Sequence, residues 1–308
     1  VRKQLCDALV ARSSRQAMVF LTGDLGFMAL EPLQAAMGQR FINAGVAEQN
    51  MVSVAAAMAR EGLEPWVYSI APFCYARPFE QIRNDAAFHN LPIRLIGNGG
   101  GYGYGVQGPT HHAVEDYGVL LTLPNLRALV PAFDEDVAEV VTRAGDLAAP
   151  VYLRLGRGEP PAGYAPPPYA AWRQLTEGGG GVVIAVGPLV GTYLAPFLSL
   201  PEETRPNLWT ACELPLAANP PPPALVAQVA RSRRLLVVEE HVARGGAGAE
   251  LALMALAQRW PVEDFRHLCA SGRIPSTYGS QAFMRALSGL DPAAVLQAAT
   301  SERPGAPG

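Results

Sequence analysis

The chain has 308 residues, of which 49% are apolar and 17% charged, and its net charge is −3. That balance supplies ample core and excludes a disordered chain, while the charge pattern offers no Lys/Arg cluster for nucleic acid and no like-charge tail. No apolar run reaches the ~18 residues of a membrane span, and a length above the roughly 250–300 residues at which single cores stop growing makes two domains the expectation.

Val1–Arg12 starts basic, but its apolar stretch is broken by Asp7, so it does not read as a signal peptide. Ala17–Thr22 is a short apolar run, predicted as a buried strand, and Phe41–Ala44 is a second, shorter one. Glu48–Arg60 is rich in Ala and Met and predicts a buried helix ended at Gly62. Pro65–Ile70 predicts a strand, Tyr75–Asn90 a helix closed before Pro92, and Ile93–Gly97 a strand feeding a glycine-rich loop. A helix near Glu115–Leu121, a strand at Leu126–Pro131, a helix over Asp134–Ala144 capped by Asp134 and a strand at Val151–Leu155 follow. Strands separated by helices imply right-handed crossovers and a mostly parallel sheet covered on both faces.

Gly158–Ala171 (GEPPAGYAPPPYAA) holds five prolines and reads as a stiff, extended linker. Beyond it, strands are predicted at Gly181–Val186, Asn207–Cys212 and Arg234–Glu239, and helices at Ala247–Arg259, Gln281–Leu287 and Pro292–Ala299. The expected organisation is an α/β domain over 1–157, a linker over 158–172, a smaller α/β domain over 173–300 and a disordered tail over 301–308. The four cysteines, Cys6, Cys74, Cys212 and Cys269, lie far apart without a CxxC pair, which fits free thiols of a cytoplasmic protein better than a disulfide frame or a zinc site.

Three segments carry the chemistry. In Arg40–Gly62 a strand ends in Asn-Ala-Gly, and Glu48 then opens an apolar helix. Read alone, Glu48 is an N-terminal helix acid, a position that stabilises negative charge by only ~0.3–1 kcal/mol when exposed. At the edge of so apolar a helix, however, its carboxylate needs a specific partner. Tyr68–Asp85 (YSIAPFCYARPFEQIRND) places Phe73, Tyr75 and Phe79 around a strand-to-helix turn, where aromatics are ordinarily core. Gly97–Asp116 (GNGGGYGYGVQGPTHHAVED) formally contains GxGxxG at Gly103–Gly108, but Pro109 follows and no helix opens on the third glycine, which disfavours a dinucleotide site. His111 and His112 are adjacent, which disfavours a shared metal ion.

These segments resemble the transketolase family. Asn43, Gly45, Val46, Glu48 and Met51 match N-x-G-[IV]-x-E-x-x-M, Phe73 and its neighbours resemble the aromatic F-x-x-[FY]-x-x-R stretch, and Gly108, Pro109, Thr110, His111, Glu115 and Asp116 match the G-P-T-H-x-x-x-E-D signature. The resemblance spans about residues 2–300 but only the second half of the family's architecture. It implies an α/β fold made of a parallel-sheet pyrimidine-binding domain of thiamine-diphosphate enzymes and a smaller transketolase C-terminal domain. Glu48 would hydrogen-bond N1′ of the thiamine aminopyrimidine, favouring the imino tautomer that exposes the thiazolium carbanion, so that the cofactor carries the chemistry and the protein its geometry. Phe73 would stack on the pyrimidine, with Tyr75 a second contact, and Asp24 would lie at the subunit contact near the cofactor. His111 would reach donor oxygens, with His112 in a position often held by Gln, and Arg157 would hold a substrate phosphate or other anion.

Two departures accompany the match: Gln107 stands where the family has Asp, and a donor-contacting His is replaced near Gly99. Both put an ordinary ketose phosphate in doubt. Glu240 and His241, in VVEEHVARGGAGAELA, are expected to be structural, and the chain begins where the family's pyrimidine-binding domain begins. No metal ligands are expected here, and no GDG…N segment is found. The implied partner is an N-terminal-half subunit with that segment, holding the diphosphate and Mg²⁺ (or Ca²⁺) in an α2β2 heterotetramer, with no nucleic-acid or membrane partner. The expected reaction transfers a two-carbon ketol unit from a ketose-type donor to an aldehyde acceptor. The rivals are the β subunit of a 2-oxo-acid dehydrogenase and a non-catalytic scaffold.

Overall fold

Apolar runs too short for helices form the strands, and the amphipathic stretches between them form the covering helices. The computed structural model describes residues 1–301, so the expected tail lies, but for Ser301, outside the described residues. The first half runs α1 (Arg2–Arg12), β1 (Met18–Thr22), α2 (Glu31–Met37), β2 (Phe41–Asn43), α3 (Glu48–Arg60), β3 (Glu64–Ile70), α4 (Ala71–Tyr75), α5 (Phe79–Gln81), β4 (Arg94–Asn98), α6 (Asp116–Leu120), β5 (Arg127–Leu129), α7 (Val137–Asp146) and β6 (Val151–Leu155). The second runs β7 (Trp172–Gln174), β8 (Val182–Val186), α8 (Val190–Leu198), β9 (Asn207–Ala211), β10 (Glu213–Leu214), α9 (Pro223–Ser232), β11 (Arg234–Glu239), α10 (Ala247–Ala257), β12 (Asp264–Cys269), α11 (Gln281–Leu287) and α12 (Pro292–Thr300).

The first sheet has the order β10-β5-β6-β4-β3-β1-β2 and is parallel except where β10 joins β5. Met18–Thr22, Arg94–Asn98 and Val151–Leu155 are buried along their whole length, as central parallel strands covered on both faces must be. In register, Phe20 stands between Phe41 and Trp66. Helices α1, α2 and α7 cover one face, and α3 and α6 the other. The chain leaves β1 toward β2 on the first face and returns over β1 to β3 on the second, so a crevice opens at the carboxyl ends of β1 and β3, where open α/β sheets bind ligands. The second sheet, β12-β11-β8-β9-β7, is parallel apart from β7. Two residues from this later half, Glu213 and Leu214, complete the edge of the first sheet.

Two local expectations are corrected. The helix expected over Tyr75–Asn90 is broken: α4 ends at Tyr75, a turn carries Ala76–Pro78, and Ile82–Ala87 winds as a π-helical segment after α5. Proline lacks the amide proton that a continuous helix needs, and its ring restricts the preceding residue. Asp134 does not cap the following helix. It accepts the Val1 ammonium and the Gly158 amide instead, and α7 starts only at Val137.

The halves are joined by buried polar contacts. Glu239 accepts the amides of Ala247 and Gly248 at 2.9 Å each, a ring nitrogen of His267 at 2.6 Å and the Tyr117 hydroxyl of the first half. The His241 ring stacks on Tyr117 at 4.0 Å and accepts the Gly118 amide. Glu240 accepts the Tyr102 amide, Gln281 and Arg285. A side chain at Gly101 would collide with Glu240, so glycine is what lets the first half's loop approach it. No helix among the described residues is long and apolar enough to cross a membrane, and all four cysteines are free.

Candidate active site

The ends of β1, β2 and β3 converge on one carboxylate. Asn43 closes β2 and accepts the amides of Gly45 and Asp24 at 2.9 and 3.1 Å, while its own amide group donates to the Asp24 carboxylate at 3.0 Å. One side chain thus fixes two loops, a local use to which Asn is suited. Gly45 turns with φ of 71°, and the chain enters α3 at Glu48. Glu48 is 4% exposed. Its oxygens accept Arg77 Nη1 at 2.9 Å each, and Oε1 also accepts Ser69 Oγ at 3.2 Å. The partner that burial demands is therefore present.

Arg77 stands in the Ala76–Pro78 turn described above. Its guanidinium carbon lies 3.9 Å from the centroid of the Phe73 ring. His111 also meets that ring, in a T-shaped contact at 5.1 Å. Thr110 Oγ1 and His111 Nδ1 lie 3.0 Å apart, and the Tyr104 ring is 6.5 Å from the imidazole. Glu48, Arg77, Phe73, His111 and Tyr104 thus form one continuous row. A flat cation that pairs with Glu48 while stacked on Phe73 demonstrates the chemistry the pair accepts: a planar nitrogen-edged group with one edge on a carboxylate and one face on an aromatic ring. An aminopyrimidine has that form.

The remaining expected residues are distributed as follows. Asp24 is exposed at the rim, held by Asn43. Tyr75 is turned inward, 5% exposed, and its hydroxyl donates to Glu115 at 3.2 Å rather than facing Phe73. Gln107 is exposed in a short 3₁₀ turn. Gly99 has φ of 76° and lies under the Tyr104 ring, which would collide with any side chain there. The Tyr104 hydroxyl accepts Asn98 Nδ2 at 2.7 Å. Gly99, Tyr104, Asn98 and Arg157 share a cleft of about 190 Å³ with Arg2. Arg157 is exposed there and pairs with Glu159 at 2.8 Å. Arg77, Tyr104 and Asn98 were not among the residues expected at the site. The closing Arg of the F-x-x-[FY]-x-x-R stretch was the signal available for the first, and the repeated Gly-Tyr pairs for the second.

His112 points away from His111 into the junction between the halves. It is 1% exposed, its ring meets Tyr102 at 5.0 Å, and among the described residues neither ring nitrogen has a hydrogen-bond partner. Burial holds its pKa below the ordinary histidine value. The folded protein then binds fewer protons at His112 than the unfolded chain, so stability present at neutral pH is lost as pH falls below the unfolded value of ~6.5. The slope approaches ~1.4 kcal/mol per pH unit for one such group. Denaturant midpoints at pH 7.5 and 5.5 are expected to fall less for His112→Phe than for wild type. Equal falls would contradict this assignment.

Comparison with known proteins bears on the same residues. The family profile described as "Transketolase, pyrimidine binding domain" matches residues 10–162. One subunit of an apulose-4-phosphate transketolase of Phocaeicola vulgatus is 29% identical over 256 residues, covering 80% of this chain and 81% of that protein. The 1-deoxy-D-xylulose-5-phosphate synthase of Thioalkalivibrio sulfidiphilus is 30% identical over 266 residues, 84% of this chain but 40% of that protein. Among solved structures, a split gene transketolase described as an inactive beta4 tetramer aligns with a TM-score of 0.80 and 26% identity, over 98% of this chain and 99% of that one.

Proposed function

We propose, from the match of residues 10–162 to the transketolase pyrimidine-binding domain and the likeness to a transketolase subunit and a split gene transketolase, that this chain is the subunit that seats the aminopyrimidine ring and the donor in a split, thiamine-diphosphate-dependent ketol-transfer enzyme. The observation that carries this reading is the row from Glu48 through Phe73 to His111, with the carboxylate 4% exposed and the imidazole meeting Phe73 at 5.1 Å. When bound, thiamine diphosphate supplies the nucleophilic carbon and the electron sink. Glu48 holds a proton at the ring's N1′ edge, since a buried carboxylate fixed at a helix start moves little. Phe73 seats the face of the ring. His111 donates hydrogen bonds to donor oxygens and moves their proton.

Arg157, with Arg2 across the cleft, suits an anionic end of the substrate. Tyr104 and Asn98 take up the space above Gly99 and give the donor pocket a phenol in place of an imidazole. The diphosphate and Mg²⁺ (or Ca²⁺) fall to an N-terminal-half subunit, in a cytoplasmic α2β2 assembly. Phe27, Met28 and Val46, exposed by 85, 83 and 77% on the loops beside Asp24 and Glu48, support a protein partner at this edge. The similarity to a protein that is itself named as one subunit of a transketolase supports the same arrangement.

The test is reconstitution with a chain carrying the diphosphate-binding domain, assayed with a ketose phosphate donor and with pyruvate. Aldehyde-dependent turnover of the ketose is expected. Turnover of pyruvate alone would replace ketol transfer with 2-oxo-acid decarboxylation.

A further inference from the structure

We propose that Arg77 is a resident occupant of the aminopyrimidine seat: Glu48 and Phe73 hold its guanidinium where the cofactor ring would lie, and it swings aside before the ring is seated. The proposal rests on the reading of Glu48 and Phe73 given above and adds a competitor built into the chain.

The guanidinium uses both recognition elements of the seat together. Arg77 Nη1 donates to both Glu48 oxygens at 2.9 Å, and its guanidinium carbon stands 3.9 Å over the Phe73 ring. An aminopyrimidine needs the same carboxylate edge and an aromatic face. Two flat groups cannot lie on one face of a phenyl ring at van der Waals distance, and both Glu48 oxygens are already taken by the guanidinium. Ring and guanidinium therefore exclude one another.

Arg77 is also built to leave. Among the described residues its side-chain hydrogen bonds run to Glu48 alone, and it is 43% exposed while Glu48 is 4% exposed. It stands in the Ala76–Pro78 turn, between the end of α4 and the start of α5, so rotating its side chain disturbs no packed helix. An arginine suits this role better than a lysine, because its planar fork both pairs with a carboxylate and stacks on an aromatic face. The consequence is a threshold. A pyrimidine ring arriving alone must displace a charge pair, whereas a cofactor anchored elsewhere by its diphosphate brings the binding energy to do so. Arg77 would thus keep loose pyrimidines out and leave Glu48 paired until the second chain supplies the anchor.

The experiment is calorimetric titration of the full chain with 4-amino-2-methylpyrimidine and, separately, with thiamine diphosphate, for wild type, Arg77→Ala, Arg77→Lys, Glu48→Ala and the Arg77→Ala/Glu48→Ala double variant. Arg77→Ala is expected to bind both probes about ten-fold tighter, the size of one half-exposed charge pair stacked on a ring. Arg77→Lys, which keeps the charge but loses the stack, is expected to lie between it and wild type. The gain should vanish in the double variant. If Arg77→Ala binds no better than wild type while Glu48→Ala still weakens binding, Arg77 is no competitor and the Glu48 reading stands. If Glu48→Ala changes nothing in either background, the seat itself is misassigned; if removing Arg77 leaves the chain unable to bind either probe, Arg77 is not what keeps the seat closed and the proposal falls. Should Arg77→Ala not fold, Arg77→Lys decides alone: tighter binding supports the proposal, and equal or weaker binding overturns it.

Discussion

Glu48→Gln is expected to lower ketol-transfer turnover by about 10²–10⁴-fold in the reconstituted enzyme, with little change in the folded structure. Glutamine has the shape of glutamate and keeps an oxygen that can accept from Arg77 and Ser69, the present partners at 2.9 and 3.2 Å. What it lacks is the ability to hold and return a proton. At 4% exposure no water can substitute freely for the carboxylate. The loss should therefore fall on kcat, leaving KM for the donor within a small factor, because the proposed mechanism assigns the donor to His111 rather than Glu48. Single-turnover kinetics would check this. Turnover within about threefold of wild type would remove Glu48 from the proton path.

Asp116→Ala is expected to destabilise the chain by about 3–5 kcal/mol, because it strands a buried guanidinium. Asp116 Oδ2 accepts Arg154 Nε at 2.7 Å and the Tyr152 hydroxyl at 2.9 Å, with side-chain exposures of 0% for Asp116 and 4% for Arg154. Arg154 also donates to the carbonyls of Ala113 and Glu240, so one ion pair ties β6, the His111 loop and the second half of the chain together. The signature Glu-Asp after Gly-Pro-Thr-His is thus a brace for the loop that carries His111. Chemical denaturation measures the effect directly. A loss under about 1 kcal/mol would mean the site relaxes or hydrates enough to tolerate the lone guanidinium.

Much of the fold could be read from local patterns, and the failures have physical causes. Apolar runs such as Val151–Leu155 and Arg234–Glu239 match their strands residue for residue, and α3 starts at Glu48 and ends at Arg60 as expected. Central parallel strands advertise themselves because both faces are covered. Helix α9 was hidden in a proline-rich stretch because Pro223 occupies its first turn, where a missing amide proton costs nothing. Strand β10 is two residues long and exists only through its pairing with β5, a long-range contact that no local window contains. Strand β12 carries Asp264, Arg266 and His267 and is only partly buried, so its composition resembles a loop.

The site shows the same division. Motif spacing located Glu48, Phe73 and His111, whose rings and carboxylate the fold gathers into one row. Spacing cannot say which way a side chain turns. Tyr75 went inward to Glu115, and His112 went into the junction between the halves. Arg77 lay in plain sight, but its partner is 29 residues earlier in the chain, a pairing that no local window contains.

The central claim is that Glu48 and Phe73 hold one end of thiamine diphosphate while a second polypeptide grips the other. Titration of the cofactor into this chain, into an N-terminal-half transketolase chain, and into their mixture tests it most directly. Tight, saturable binding is expected for the mixture only, and should weaken sharply when this chain carries Glu48→Ala. Full affinity in the partner chain alone, or in the mixture regardless of residue 48, would contradict the account.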